Sequence, residues 1–189
     1  MNNVLLIGNG RCIFDTEFGE KINNFNGLLV RFNHFRIENY EKYIGKRPAD
    51  IWFVGELDHS NSINYYDYVI IYCTNFNSHM IECIYRNNRN NKILILPYNI
   101  IIDAAKQIEN RPGAFPTSGM MAIYYFIFLG YTVYVHGFDF CERGTDYFDG
   151  ANYLSGEKKM PMPCPCHDWD LEKKYVNRLI EEKKIFRLL

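Results

Sequence analysis

His167 and Glu172 stand five positions apart in the stretch CHDWDLE, and residues 116–119, PTSG, open a long apolar run. These are residue types that move protons and hold anions. An imidazole, with an unperturbed pKa of about 6.5, can take a proton from a hydroxyl near neutrality; a solvated loop histidine is the plainer alternative. In PTSG, Pro116 restricts its predecessor to extended geometry, and Thr117 or Ser118 suits the N-cap of a following helix. The first amides of such a helix carry roughly half a positive charge. Gly119 would let a ligand approach the backbone, and a phosphate fits the place. A cap with no ligand satisfies the same residues.

Other stretches offer chemistry less sharply. Cys164, Cys166 and His167 lie close together in CPCH. Their C-x-C spacing, with no second matching pair, does not fit a structural zinc site, so no metal is expected. Tyr147, in GTDYFDG, could donate to a phosphate oxygen or simply pack its loop, and Asp146 and Asp149 have D-x-x-D rather than D-x-D spacing. Short polar groups recur after apolar runs: Gly8-Asn9-Gly10, Asn33, Thr74-Asn75 and Gly137-Phe138-Asp139.

The elements that must position these residues follow from the apolar pattern. Val4–Ile7, Gly27–Phe32, Ala49–Val54, Tyr68–Cys73, Lys92–Leu96 and Thr132–Val135 are continuous apolar runs that read as buried parallel strands. IIDAAKQIEN reads as a short helix ending at Asn110 and Pro112. Met120–Leu129 reads as a helix buried on most sides, with Gly130 just past its end. Residues 141–166, polar and rich in Gly and Pro, are expected to form a mobile lid. Trp169 to Phe186 reads as an amphipathic surface helix. Strands alternating with helices predict a single α/β domain over 1–189, Rossmann-like and three-layered around a mainly parallel sheet. Ligands of such sheets gather beyond the carboxyl ends of the strands, where the polar groups recur.

Bulk properties narrow the function. The 189 residues are 48% hydrophobic and 23% charged, with a net charge of −1, so no nucleic-acid partner is expected. Phe and Tyr are abundant, 14 and 15 residues, which serves either core filling or the stacking of a base or sugar. No run reaches the roughly 20 apolar residues of a membrane span, and the start lacks a signal-peptide pattern. Six scattered cysteines are expected to be reduced thiols in a cytoplasmic setting.

Taken in order, the motifs resemble those of the sialyltransferases, both the animal-type glycosyltransferase family 29 and the Campylobacter-type bacterial enzymes. LLIGNG, VRFN, PTSGMMAIYYFIFLGYTVYVHGFDF and HDWDLE are similar to the family's successive motifs, and YCTNFNSH is similar to a strand and loop of the bacterial enzymes. The resemblance implies a GT-A-like variant of the Rossmann-type fold. It also implies an inverting, metal-independent transfer of sialic acid or a related acidic sugar from a CMP ester to a glycan or other hydroxyl acceptor, with no cofactor. It implies that Gly8, Asn9, Gly10 and Asn33 hold the nucleotide and its phosphate. Thr117, Ser118 and Gly119 would meet the donor's phosphate and carboxylate, and Gly137, Phe138 and Asp139 would line the cytidine. Tyr147 would steady the departing phosphate, and His167 would act as base with Glu172 supporting the local helix start.

Arg11-Cys12, Cys141 and Gly55 depart from the family pattern. Those departures keep a shifted donor, or a catalytically inactive nucleotide- or glycan-binding protein, among the readings. A compact bacterial or viral enzyme, with room for a homo-oligomer, fits the short chain.

Overall fold

A computed structural model of the chain describes residues 2–55, 67–71, 92–109, 112–143, 148 and 167–189. Seven parallel strands form one sheet in the order β5-β4-β3-β2-β1-β6-β7. They are β1 (Asn3–Ile7), β2 (Leu28–Phe32), β3 (Ile51–Val54), β4 (Tyr68–Ile71), β5 (Lys92–Ile95), β6 (Thr132–His136) and β7 (Ile185–Arg187). Around them lie a 3₁₀ turn (Arg11–Asp15) and the helices α1 (Gly19–Asn23), α2 (Glu41–Ile44), α3 (Tyr98–Ile108), α4 (Ser118–Phe128) and α5 (Trp169–Glu181). No helix among the described residues is long and apolar enough to cross a membrane.

The sheet is covered on both faces, which is why its strands read as unbroken apolar runs. Successive residues point to opposite sides. Val4, Leu6, Val30, Phe32 and Phe53 pack with α3, α4 and α5, while Leu5, Ile7 and Leu29 pack with the 3₁₀ turn, α1 and α2. Further along that second face, Trp52, Val54, Val69 and Ile71 gather with Phe35 and Ala49. The α/β three-layer expectation therefore holds.

Two expectations need correction. The carboxyl-terminal helix stops at Glu181, and Lys183 turns the chain with a φ of 56° into β7, whose Ile185 pairs with Val133. One buried residue in a three-residue strand leaves no period to read, so β7 merges into a charged tail on paper. Nor does α5 merely lie on the surface: Glu172, Tyr175, Val176 and Leu179 are buried at helical spacing. Helix α4 is buried along most of its length as its sequence requires, and Gly130 follows it with the left-handed φ of 78°. Its last turn emerges, with Phe128 62% exposed.

Candidate active site

The chain leaves β1 toward β2 on one side of the sheet and joins β6 on the other, so the crevice at their carboxyl ends is the point where strand order reverses. Two loops meet there at backbone contact. Gly8 donates its amide to the His136 carbonyl at 2.8 Å, and Gly10 donates to the Gly137 carbonyl at 2.9 Å. A Cβ on Gly8 would lie 2.4 Å from the Gly137 oxygen, and one on Gly10 would lie 2.6 Å from Asp139 Oδ1. The glycines thus weld the β1 and β6 loops into one floor. Asn9 extends it: its Nδ2 donates to the carbonyls of Phe32 and His34 beyond β2, at 3.1 and 3.2 Å.

Asp139 closes a tight turn beside that floor. Its Oδ1 accepts from the Cys141 amide and its Oδ2 from the Cys12 amide, both at 3.2 Å. The Glu142 amide donates to the Asp139 carbonyl, and Phe140 and Cys141 between them hold φ values of 53° and 61°. Left-handed backbone at two successive non-glycine residues is costly, and the doubly bonded carboxylate is what retains it. The Cys12 thiol is pushed up to about 12, chiefly by burial and then by Asp139.

Asn33, at the end of β2 with a φ of 45°, spends both ends of its amide inside the protein. Its Oδ1 accepts from the Gly55 amide at 3.0 Å, and its Nδ2 donates to Ser118 Oγ at 3.1 Å. The Ser118 hydroxyl can in turn donate to Asn33 Oδ1, 3.4 Å away, so the two side chains hold each other in place.

Thr117 is the N-cap of α4, its Oγ1 accepting from the Met120 amide at 3.2 Å. Glu172 reaches over from α5 and takes the rest of that residue's capacity. Its Oε1 accepts from the Thr117 amide at 2.7 Å and its Oε2 from the Thr117 hydroxyl at 2.8 Å. The support that Glu172 supplies therefore goes to the start of α4; the start of its own helix is capped by Asp168, which accepts from the Leu171 amide. Burial pushes the Glu172 carboxyl up to about 8, against the pull of the two Thr117 bonds. The amides of Ser118 and Gly119 meet no acceptor among the described residues. A Cβ on Gly119 would lie 2.5 Å from the Phe138 ring, so this glycine makes room for an aromatic side chain, a reason different from ligand approach.

His167 Nδ1 lies 2.8 Å from the Phe115 carbonyl. A carbonyl only accepts, so Nδ1 carries the proton and the lone pair of the neutral ring lies on Nε2. Trp169 stands edge-on to the imidazole, ring centroids 5.4 Å apart.

One pocket is lined by Gly8, Asn9, Gly10, Asn33, Thr117, Ser118, Gly119, Gly137, Phe138, Asp139, His167 and Glu172, which the sequence singled out. Phe32, Phe140, Cys141 and Trp169 complete its wall. Tyr147 lies outside the described residues, as do Asp146, Asp149, Cys164, Cys166 and most of the expected lid; Phe148 is described and is buried, with its amide donating to the Asn9 carbonyl at 2.7 Å. Among the described residues no three His, Cys, Asp or Glu side chains converge as metal ligands. Sequence reading missed Phe115 and Asp168; a D-x-x-L ahead of an apolar period was the available signal for the latter, and a carbonyl acceptor leaves none.

A parallel α/β sheet with its pocket at the β1/β6 switch point defines a Rossmann-like fold, and its likeness to solved structures is to the sialyltransferase form of that fold. One solved structure similar to the chain is a crystal structure of a mammalian sialyltransferase, at 17% identity and a TM-score of 0.71, covering 99% of this chain and 68% of that one. Another is a mammalian sialyltransferase in complex with Gal-beta-1-3GalNAc-ortho-nitrophenol, at 16% identity and a TM-score of 0.68, covering 99% of this chain and 69% of that one. No protein-family model and no curated protein sequence matches the chain.

Proposed function

We propose that this protein is an inverting, metal-independent glycosyltransferase that moves sialic acid or a related acidic sugar from its CMP ester to a hydroxyl acceptor. One observation carries the reading: His167 and the amino end of α4 line the same pocket at the strand-order switch point, in a fold similar to that of sialyltransferases. His167 Nε2 takes the acceptor's proton as its oxygen attacks the anomeric carbon. One positioned base adds about 10²–10⁴-fold. The bond to the phosphate breaks, and its electrons go to the leaving oxygen. The Ser118 and Gly119 amides donate to that phosphate, and the Ser118 hydroxyl turns to it from its long contact with Asn33 Oδ1 at 3.4 Å. Donors already oriented toward developing charge need no reorganisation, which is the source of their catalytic worth. Thr117, with its amide and hydroxyl given to Glu172, serves this reading as the support of that cradle.

The test is a thermal-shift comparison of CMP, UDP and GDP with and without EDTA, followed by a CMP-sugar consumption assay. Stabilisation by CMP alone, indifferent to EDTA, supports the proposal. A preference for UDP with divalent metal overturns it, and CMP binding with no donor consumption, even by hydrolysis, selects the binding-only alternative.

A further inference from the structure

We propose that Glu172 is a positioning residue that takes up a proton when an anion occupies the amino end of α4, so that anion binding and protonation are coupled. The inference rests on the reading above, in which a nucleotide phosphate is that anion. Its carboxylate oxygens already sit where a helix attracts negative charge, bonded to the amide and hydroxyl of Thr117. The amides left for a ligand, those of Ser118 and Gly119, belong to the next two residues of the same turn. Two anions would then share one helix end.

Among the described residues that line the pocket, none is a lysine or arginine that would compensate Glu172. The residue is 1% exposed and has no salt bridge among the described residues. Asp168, on its own helix, adds repulsion. Thr117 is what α4 presents to it; Asn33 at the end of β2 is uncharged; and Asp139, which lines the same pocket, is acidic. His167 is the residue among the described lining that becomes a cation on protonation.

Of two like charges in such a place, the one that can bind a proton does so. A sugar-linked phosphate diester has no proton to gain in the neutral range, whereas Glu172 does. Its carboxyl is already held up to about 8 by burial, so the added cost of full protonation at neutral pH is small. The neutral acid keeps the brace intact. One oxygen still accepts from the Thr117 amide, and the O–H donates to the Thr117 oxygen, which has a second lone pair for Met120. By linkage, whatever favours the proton favours the anion equally. Rising pH therefore loosens the phosphate while the fold of the loop persists.

The experiment is calorimetric titration with CMP between pH 7 and 9, in two buffers of different ionisation enthalpy, for the wild type, Glu172→Gln and His167→Asn. The second ionisation of a phosphate monoester, near pH 6, lies below this window, so CMP stays a dianion throughout. The wild type should bind CMP about tenfold more weakly at pH 9 than at pH 7, because the protonated fraction of a carboxyl held at about 8 falls about tenfold across that window. It should take up a fraction of a proton near pH 8. Glu172→Gln should bind with a flat profile and no proton uptake, and His167→Asn should keep the wild-type slope. A Glu172→Gln profile parallel to the wild type, or wild-type binding without proton uptake, overturns the coupling alone. If Glu172→Gln fails to fold, the wild-type proton count decides. Absence of CMP binding at every pH overturns the nucleotide reading and this inference with it.

Discussion

Glu172 and Arg31 are ionisable, each 1% exposed, and lie on opposite faces of the same sheet, yet they are buried to different ends. Glu172 joins two helices beside the pocket, and both its oxygens are bonded. Arg31 sits in register with Ile7, over the 3₁₀ turn and α2, away from the pocket wall. Its Nη2 donates to the carbonyls of Ile44, Gly45 and Arg47, which closes the carboxyl end of α2, while its Nε and Nη1 have no hydrogen-bond partner among the described residues. Burial alone brings the guanidinium down to about 9. His136, in register with Ile7 on its other side, is a second buried cation precursor with an orphaned nitrogen, Nε2. One face of the sheet spends a buried ionisable group on the shape of a binding site. The other spends buried charge on holding a four-residue helix that has little propensity to form alone.

The contrast makes sharp demands of mutants. On the pocket face, His167→Ala should lower the transfer rate by about 10²–10⁴-fold while CMP affinity and the urea midpoint stay near wild type; undiminished turnover would remove His167 as the base. On the opposite face, Arg31→Met should lower stability by about 1–3 kcal/mol, because three carbonyls lose their donor. CMP affinity per folded molecule should be unchanged. A more stable variant in urea denaturation would mean that the guanidinium's desolvation outweighs its bonds. Gly119→Ala should cost about 1–2 kcal/mol and weaken CMP, since the new Cβ drives into Phe138. Adding Phe138→Leu should restore the stability and leave the affinity low.

The smallest effects are slopes against pH, and they have opposite signs on the two faces. Glu172 binds its proton more tightly when folded, about 8 against an ordinary 4.5, so its contribution is present below pH 4.5 and lost as pH rises toward 8. His136 binds its proton less tightly when folded, about 4 against 6.5, chiefly because of burial. Its contribution is present above pH 6.5 and lost as pH falls toward 4. Urea titrations across pH 4–9 should find the alkaline slope reduced in Glu172→Gln and the acid slope reduced in His136→Gln. If each variant keeps both wild-type slopes, the two groups do not titrate as their burial requires.

The central strands were legible because a strand covered on both faces is apolar at nearly every position, as VLLI, LLV and IWFV are. At the sheet's edge β5 kept an apolar run although Leu94 is 42% exposed. Arg31 was the exception hidden inside such a run, and its neighbours could not reveal that its partners are carbonyls some 13–16 residues on. The pocket was legible at the level of membership: glycines, amides and hydroxyls after strand ends converge, because parallel strands all end on one side. The division of labour within it was not. Thr117 and Ser118 are adjacent and chemically alike, yet one is absorbed by Glu172 and the other is aimed by Asn33. Gly119 was readable as a glycine required for space, but what fills that space is Phe138.

Residue types and their periods determined six of the strands, a cap at Thr117 or Ser118, the end of α4 ahead of Gly130, and which polar groups would meet. These depend on local conformational preference and on burial of an apolar face, both of which are written along the chain. Only the tertiary structure decided that Glu172 braces α4, that Phe115 selects the tautomer of His167, and that Ile185 adds a seventh strand. Each of those joins groups 52 or more residues apart in the chain, whose local sequence is equally content with solvent.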